Sequence, residues 1–284
     1  MSDPVLFVDT SESNVTITGN LHVTNHLGIG TGSPATKLHL LGVGNGSSPR
    51  LRFETLNNGV NGNYTPGGTE IGGIQFAADD LTWSTQHVSS EIVGIHYSPN
   101  YSGALGTLSF RTSTSQGSNP NENMSISSQG YLKYNNQPRF SAYSNSSNGT
   151  FSGFNSPVKL TSTFYNVGSH YSTSTGCFTA PVTGHYRFSV APWNNSASEQ
   201  QYSMWYRTSN SGSWDDIQPY KLLGGSPTGD EMIWTNREYR GLGHPTFDLY
   251  VPANYQIAFG GRGGASVTIY RAHSFFSGEL ISAA

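Results

Sequence analysis

The sequence predicts an all-β fold, and its composition and its apolar periodicity carry that prediction. Charged residues make up only 11% of the chain, whereas soluble domains usually carry about 25%. Glycine and the aromatic residues are abundant (34 Gly, 16 Tyr and 14 Phe), which is typical of short strands joined by tight turns. No stretch repeats apolar residues with the spacing of a helix face, so helix is not expected as a dominant element.

The length, charge and cysteine content of the chain limit the classes of protein to which it can belong. At 284 residues there is room for two or three domains of roughly 100–200 residues each. A formal net charge of −3 supplies no basic stripe for phosphates, so no nucleic-acid partner is expected. Cys177 is the only cysteine, which excludes an intrachain disulfide and a cysteine zinc cluster. Since no apolar run approaches ~18 residues and the start lacks the features of a secretory signal, we expect synthesis in a cytoplasm and no membrane insertion.

Residues 13–30 alternate between apolar and polar positions with the period of a β-strand. The apolar face consists of Val15, Ile17, Leu21, Val23, Leu27 and Ile29. A single short ribbon cannot bury such a face, whereas three parallel copies wound around one axis could. The stretch is therefore interpreted as the shaft of a trimeric fibre. The alternative is an edge hairpin that packs on the following domain.

A glycine-rich motif overlaps the end of this stretch and runs from Leu27 to Leu40. A dinucleotide-binding loop is not supported, because Ser33 stands where a third glycine is needed and no helix pattern follows. The motif closely resembles a signature of bacteriophage tail fibres and related virion appendages. This resemblance implies an appendage whose N-terminus is held by another virion protein.

The middle of the chain combines Gly-rich turns with short apolar strands, which are predicted within residues 71–76, 91–95 and 107–111. The succession 106–110, 122–126 and 129–132 is similar to a module that often follows the glycine motif in phage fibres. A change of pattern near Tyr134 to Pro138 marks the next boundary. Three domains are thus predicted: an attachment and shaft segment (1–42), a β-rich middle fibre domain (43–137) and a head (138–284).

Aromatic-bearing strands follow one another at near-regular spacing from Pro138 onwards. Each alternates apolar with polar residues. The apolar members are Phe140/Ala142, Tyr186/Phe188/Val190, Tyr202/Met204/Tyr206, Phe247/Leu249/Val251, Ile257/Phe259 and Val267/Ile269. A series of this kind predicts a two-sheet sandwich or jelly roll.

The head also looks like the globular head of complement component one, subunit q. The residues that carry this resemblance are Phe164, Asn166, Gly176, Phe178, Pro181, Gly184, Tyr186, Phe188, Phe276 and Gly278. The family shares a ten-stranded jelly roll with the tumour necrosis factor cytokines. The resemblance implies that fold and a compact trimer whose first and last strands lie near the three-fold axis. Ala253, Asn254 and Tyr255 stand where many family members have Gly-Asp, so a calcium site using that Asp cannot be carried over.

The sequence contains no recognisable catalytic motif. The nine His residues are scattered, without a Gly-x-Ser-x-Gly or a His-Glu-x-x-His spacing. Adjacent acids occur at Asp79-Asp80, Asp215-Asp216 and Asp230-Glu231, but neighbours on a strand point to opposite faces. We therefore expect no enzyme and no cofactor, with calcium held by these turns as the alternative. Cys177 lies in an apolar strand and is expected to be a buried, inert thiol.

What remains is a surface for recognition. Trp214 stands in a Gly/Ser/Asp loop, residues 209–216, without alternating apolar neighbours, so both exposure and burial of its side chain stay open. An exposed Trp would suit a sugar or a protein epitope. The predicted receptor-binding residues are Asn210, Trp214, Asp215, Asp216 and Tyr220. By contrast, Trp193, Trp205 and Trp234 are expected to lie on strands and to fill the sandwich core.

These features predict a homotrimeric tail fibre, carried on a virion surface, whose head attaches to a glycan or a protein of the host cell. A capsid decoration or head fibre of the same architecture is one alternative. A secreted lectin or ligand of the complement-head type is another. A polysaccharide depolymerase is the enzyme that the sequence leaves open.

Overall fold

The computed structural model describes residues 23, 25–29, 31, 33–41, 51–52, 69–78, 87–97, 105–114, 118–144, 149–153, 156–193, 200–217, 233–236 and 244–284. The chain divides into two compact units. One comprises Met1–Asn63 with Ile71–Gly73, and the other Tyr64–Glu70 with Ile74–Ala284. The three domains predicted from the sequence stay a prediction.

The fold is nearly all β, which confirms the predicted fold class. The strands are β1 Leu27–Ile29, β2 Leu38–Leu40, β3 Thr69–Ala78, β4 His87–Tyr97, β5 Leu105–Thr112, β6 Asn121–Ile126, β7 Leu132–Tyr134, β8 Arg139–Tyr143, β9 Gly149–Phe151, β10 Ser162–Val167, β11 Tyr171–Ser172, β12 Cys177–Thr179, β13 Gly184–Ala191, β14 Gln200–Arg207, β15 Asp215–Asp216, β16 Ile233–Asn236, β17 Thr246–Val251, β18 Gln256–Gly261, β19 Val267–Ile269 and β20 Phe275–Ala283. Two short 3-10 turns span Arg262–Gly264 and Arg271–His273. Within the residues described above, no helix has the length and apolarity needed to cross a membrane.

The glycine-rich motif forms a small parallel pair, in which β1 lies beside β2 with Leu27 opposite Leu38. Gly28 is required there, because a Cβ atom would lie 2.6 Å from the carbonyl oxygen of Thr31 and 2.8 Å from Pro34. Of the predicted shaft residues, Val23 and Ile29 are exposed and Leu27 is half-buried. Val15, Ile17 and Leu21 lie outside the described residues. The shaft interpretation therefore stays a prediction.

The middle region forms a five-stranded sheet with the order β3-β4-β5-β6-β7. The pairs from β4 to β7 are antiparallel, with Val93 opposite Ser109 and Ser109 opposite Ser125. The strands predicted within 71–76, 91–95 and 107–111 are confirmed by β3, β4 and β5.

The head is a sandwich of two sheets. One has five strands in the order β10-β8-β20-β13-β17, and the other has the order β11-β12-β18-β14-β15 with β16 also paired to β14. The alternation seen in the sequence is confirmed, because the inward residues form one buried core that includes Phe140, Tyr186, Phe188, Met204 and Phe259. Tyr206 and Phe247 are partly buried against that core. A further short pair, β9 with β19, lies outside these two sheets.

Aromatic rings hold the centre of this core together. The ring of Phe140 stacks on Tyr171, with centroids 4.7 Å apart, and on Phe178 at 5.2 Å. Phe276 of the last strand meets the same ring edge-on at 4.9 Å. Such pairs add about 0.5–1.5 kcal/mol each beyond the burial of their surface. The first and last strands of the head are thereby joined through one ring.

Several residues of the head signature have a structural role. The side chain of Asn166 closes a turn, since its Nδ2 donates to the carbonyl of Tyr171 and its Oδ1 accepts the Tyr171 backbone N–H. Gly176 has a φ of +78°, and a Cβ there would lie 2.5 Å from the carbonyl oxygen of Val158. Gly184 is equally confined, because a Cβ atom there would lie 2.4 Å from the carbonyl oxygen of Ser282. These positions shape the backbone on which the core is built.

Candidate assembly and recognition surfaces

The outward face of the five-stranded sheet carries a row of alternating charges. Arg139 lies opposite Glu279, Glu279 opposite Arg187, and Arg187 opposite Asp248, so the row crosses four strands. Arg187 donates from Nε and Nη2 to the two oxygens of Asp248, at 2.8 and 2.9 Å. This bidentate hydrogen bond lowers the pKa of Asp248 and raises the pKa of Arg187. Both side chains are exposed, so the pair contributes little to the stability of a single chain.

A second row of hydroxyl residues runs parallel to the charges. Ser141, Ser277, Ser189 and Thr246 face one another across the same four strands. The hydroxyls of Ser189 and Thr246 lie 2.9 Å apart. With Tyr165 beside it, this part of the face forms a shallow polar depression of about 120 Å³. It offers hydrogen-bonding groups without the enclosure of an active-site cleft.

Exposed aromatic side chains lie on strands β10 and β20 of the same sheet. Phe164 is 72% exposed and stacks on Tyr143, with ring centroids 4.2 Å apart. Tyr165 and Phe275 are exposed as well. Two consecutive residues of β10 reach solvent because the register of β10 against β8 shifts between Thr163 and Tyr165. The head therefore presents an apolar strip beside its first and last strands.

An apolar groove of about 500 Å³ lies near the C-terminal end of β20. Pro138, Pro181, Val182, Leu280 and Ile281 contribute most of its apolar walls, and Val182 and Ile281 are exposed. His170 also lines the groove, and desolvation lowers the pKa of its imidazole. The groove is open and apolar, which suits a protein surface better than a small polar ligand.

The predicted receptor-binding residue Trp214 is not exposed. Only 6% of its surface is accessible, and its ring packs against Trp205, with centroids 6.4 Å apart. The guanidinium carbon of Arg207 lies 4.6 Å from the Trp214 ring and covers it. The hydrophobic effect and this cation–π contact turn the ring inward, while the Gly/Ser backbone of the loop faces water. Of the two placements that the sequence left open for Trp214, the structure shows burial, so the prediction of an exposed receptor-binding side chain is wrong.

The other predicted recognition residues divide between structure and surface. Asp216 is buried, where it accepts hydrogen bonds from the Ser203 hydroxyl and from the backbone N–H of Gly263. Asp215 is half-buried on β15, and Asn210 is exposed. Tyr220 lies outside the described residues. Asp216 thus holds the fold together and is not available to a receptor.

A polar network that sequence reasoning missed surrounds Asn210. Gln256 accepts a hydrogen bond from Nε of Arg207 at 2.6 Å and donates to Thr179 and Asn210. Its members come from separate strands and a loop, so their spacing along the chain carries no signal. Asn210 is exposed, and Arg207 is half-buried where it covers Trp214.

The remaining tryptophans are placed differently from the sequence-based expectation. Trp205 is buried, but with Cys177, Trp214 and Ala258 in a second cluster separate from the sandwich core. Its strand neighbours Tyr202 and Met204 point to the opposite face, as alternation requires. Trp193 is half-buried beside His273, and the side chain of Trp234 lies outside the described residues. The expectation that Trp205 fills the sandwich core is therefore wrong.

Cys177 is buried, as predicted. Desolvation raises the pKa of its thiol, although its Sγ donates to the carbonyl of Thr175 at 3.4 Å. Among the described residues no three His, Cys, Asp or Glu side chains gather in a way that could hold a metal ion. The pairs Asp79-Asp80 and Asp230-Glu231 lie outside the described residues.

Part of the head is similar to a known protein family. Residues 139–212 match the family model described as the C1q domain. The globular domain of zebrafish complement 1qA is 16% identical and covers 52% of this chain and 99% of that chain, with a TM-score of 0.38. Eiger TNF from S. frugiperda is 12% identical over 52% of this chain and 95% of that chain, with a TM-score of 0.36. The vertex protein P5 of PRD1 is 13% identical over 51% of this chain and 97% of that chain, with a TM-score of 0.31.

No curated protein matches the chain. The assignment of the head rests on the family match and on the observed sheets. Residues 139–212 are similar to the C1q domain, and the described strands of the head form a two-layered β-sandwich.

Proposed function

We propose that this chain is a homotrimeric virion fibre, a tail fibre, whose C-terminal head attaches the particle to a receptor on the host surface. The observation that carries the proposal is the exposed apolar strip of Phe164, Tyr165 and Phe275 beside the first and last strands of a C1q/TNF-like head. Large apolar side chains grouped in this way mark a protein–protein contact.

A three-fold assembly accounts for this strip. C1q/TNF-like domains typically form trimers, and three identical heterologous contacts close into a ring without leaving a free surface. Burial of a large apolar side chain contributes about 1.5–3 kcal/mol, and each contact is repeated three times. The charged row from Arg139 to Asp248 lies on the same face and would fix the orientation of neighbouring heads through complementary charges.

The role on a virion is supported by the glycine motif, residues 27–40, which resembles phage tail fibres. A fibre that carries three heads on one axis binds firmly through effective concentration even when each site is weak. The surface beside Arg207 and Asn210 is polar and solvent-facing, and suits a glycan or a protein of the host envelope. The N-terminal segment would then bind another virion protein.

A second candidate is a secreted lectin or ligand, and the match of residues 139–212 to the C1q domain favours it. A capsid decoration is a variant of the first proposal, with the same trimer attached to the shell. Cryo-microscopy of the particle distinguishes the variants, because the density lies on the tail in one and on the capsid in the other.

The proposal is tested in two steps with the full chain. Light scattering should give three times the chain mass of 30.6 kDa at all concentrations used. The labelled trimer should then bind intact bacterial cells and isolated envelope glycans, and unlabelled trimer should compete. A stable monomer would overturn the assembly. Binding confined to animal-cell glycoproteins would favour the secreted ligand, and new reducing ends in a treated polysaccharide would identify an enzyme.

A further inference from the structure

The two faces of the middle sheet, β3 to β7, have opposite character. Because antiparallel partners share a face, Glu91, Val93 and Ile95 lie on the same side as Arg111, Ser109 and Thr107. On the opposite side, the polar residues Ser90, Thr112 and His96 lie toward the ends of β4 and β5. The large apolar residues of that side are Ile92, Leu108, Phe110, Met124, Ile126, Leu132 and Tyr134. We call the first the polar face and the second the apolar face.

The polar face satisfies its own charges. Arg111 Nη1 lies 2.9 Å from Glu91 and 2.6 Å from Glu70. Glu122 accepts a hydrogen bond from the Ser109 hydroxyl at 2.9 Å and another from Asn135 at 3.0 Å. Val93 and Ile95 lie on this face as well and are only 3% and 5% exposed, so its few apolar side chains are already covered within the chain.

The apolar face is open to solvent. Gln75 hydrogen-bonds Glu91 on the polar face, so its neighbours Ile74 and Phe76 point to the apolar side. Five of its large side chains are between 38% and 56% exposed, namely Ile74, Phe76, Leu108, Leu132 and Tyr134. Together they expose on the order of 400 Å², which is as much as the largest apolar patch of a typical monomer. A sheet with such a face is stable when a second layer covers it.

The connection to the head indicates what supplies that layer. Residues 135–138 are all that separates β7 from β8, so the two strand ends lie at most about 18 Å apart. The backbone N–H of Asn135 donates to the carbonyl of Asn123 at 3.0 Å, and that of Leu280 donates to the carbonyl of Pro138 at 2.9 Å. The connection is thus tied to the middle sheet at one end and to the head at the other. A three-fold axis that brings the β8 strands of three copies together would therefore also bring their β7 strands close to one another.

We propose that the apolar face of β3 to β7 packs against the same face of two further copies of this chain, so that three sheets enclose a second core below the heads. This inference rests on the proposed trimer and deepens it. The patch supplies about half of the ~800 Å² that each partner contributes to a stable interface, and the head supplies the rest. The assembly would then be held at two levels of the fibre.

Thiol protection in the purified full chain tests this arrangement. Cys177→Ser removes the native thiol, and Leu132→Cys then places one thiol on the apolar face. Lys133→Cys is the matched control on the polar face of the same strand. Leu132 is 56% exposed and the side chain of Lys133 is 68% exposed in a single chain, so a monomer would label both alike. In the proposed trimer, maleimide should label the Leu132→Cys thiol at least about tenfold more slowly than the Lys133→Cys thiol, because access to the thiol limits the rate.

The outcomes separate this inference from the trimer itself. Trimeric mass with a protected Leu132→Cys and a reactive Lys133→Cys supports it, because no other protein is present. Trimeric mass with equal labelling overturns it and leaves the head-driven trimer standing. Monomeric mass overturns both. Protection that develops only after addition of a virion extract would assign the face to another protein and overturn the inference. Leu108→Cys repeats the measurement from β5, in case Leu132→Cys itself disturbs assembly.

Discussion

Gly278 of β20 lies directly opposite Phe188 of β13, and the edge of that ring occupies the space in which a side chain would begin. A Cβ atom on Gly278 would lie 2.6 Å from Cδ1 of Phe188 and 2.7 Å from Cε1 of Phe140. Both rings are completely buried and are held by other aromatic rings, so neither can move aside. The glycine of the last strand is therefore needed for the close approach of two aromatic side chains.

Gly278→Ala should destabilise the head by about 1–3 kcal/mol through overpacking, which outweighs the smaller entropic gain of replacing glycine. Urea unfolding followed by tryptophan fluorescence measures the change. Ser277→Ala is the control, because Ser277 is the neighbouring residue on the outward face and should leave the midpoint nearly unchanged. An unchanged midpoint for Gly278→Ala would show that the core has room that the structure does not show.

Cys177 should be inert in the folded protein. Its thiol is buried and its pKa is raised by desolvation, so the reactive thiolate is scarce at pH 8. Reaction of a thiol with an aromatic disulfide reagent releases a coloured thiolate that can be counted. The native chain should release almost none, and the chain denatured in urea should release one equivalent per chain. Rapid reaction of the native protein would mean that the cluster around Trp205 and Trp214 opens readily.

Stability should be constant from neutral pH to about pH 9 and should fall above it. Burial raises the pKa of Tyr171 and Tyr202 above the ordinary value of 10.0, and that of the Cys177 thiol above 9.0. Above these ordinary values the unfolded chain releases protons that the folded chain retains, so the free energy of unfolding decreases as pH rises. Urea midpoints at pH 7, 9 and 10.5 measure the effect. Equal midpoints at pH 7 and 10.5 would contradict it.

The alternating strands of the head could be predicted because period two is a local signal. Tyr186, Phe188 and Val190 point inward on β13 whatever the rest of the chain does. Trp214 could not be placed in this way, because a loop side chain is directed by what lies beneath it. The ring of Trp214 packs on Trp205 beneath it and is covered by Arg207 above it. Trp205 in turn lies on a face of its sheet, and the sequence does not show that this face is covered. The network of Gln256 joins residues 46 and 49 positions away along the chain, and only the fold brings them together.

Trp214→Ala should therefore act on stability. Removal of a buried aromatic side chain costs about 3–5 kcal/mol, and here it also uncovers Trp205 and releases Arg207. The thermal midpoint should fall, and any loss of receptor binding should accompany it. Asn210→Ala is the surface comparison: it should leave the thermal midpoint within a few degrees of the unmodified chain. Loss of binding by Trp214→Ala with an unchanged midpoint would show that the ring contacts the receptor directly.

Phe164 offers the most direct test of the head as an assembly surface. Since it is 72% exposed in a single chain, Phe164→Ser removes little from the core of that chain, whereas in a trimer it deletes one buried aromatic side chain from each copy. The loss of about 1.5–3 kcal/mol per contact should shift dissociation to a concentration at least tenfold higher. Sedimentation over a dilution series measures that shift. Phe164→Leu keeps an apolar side chain and should remain trimeric, and a serine variant that dissociates no more readily than the leucine variant would place the trimer contact elsewhere.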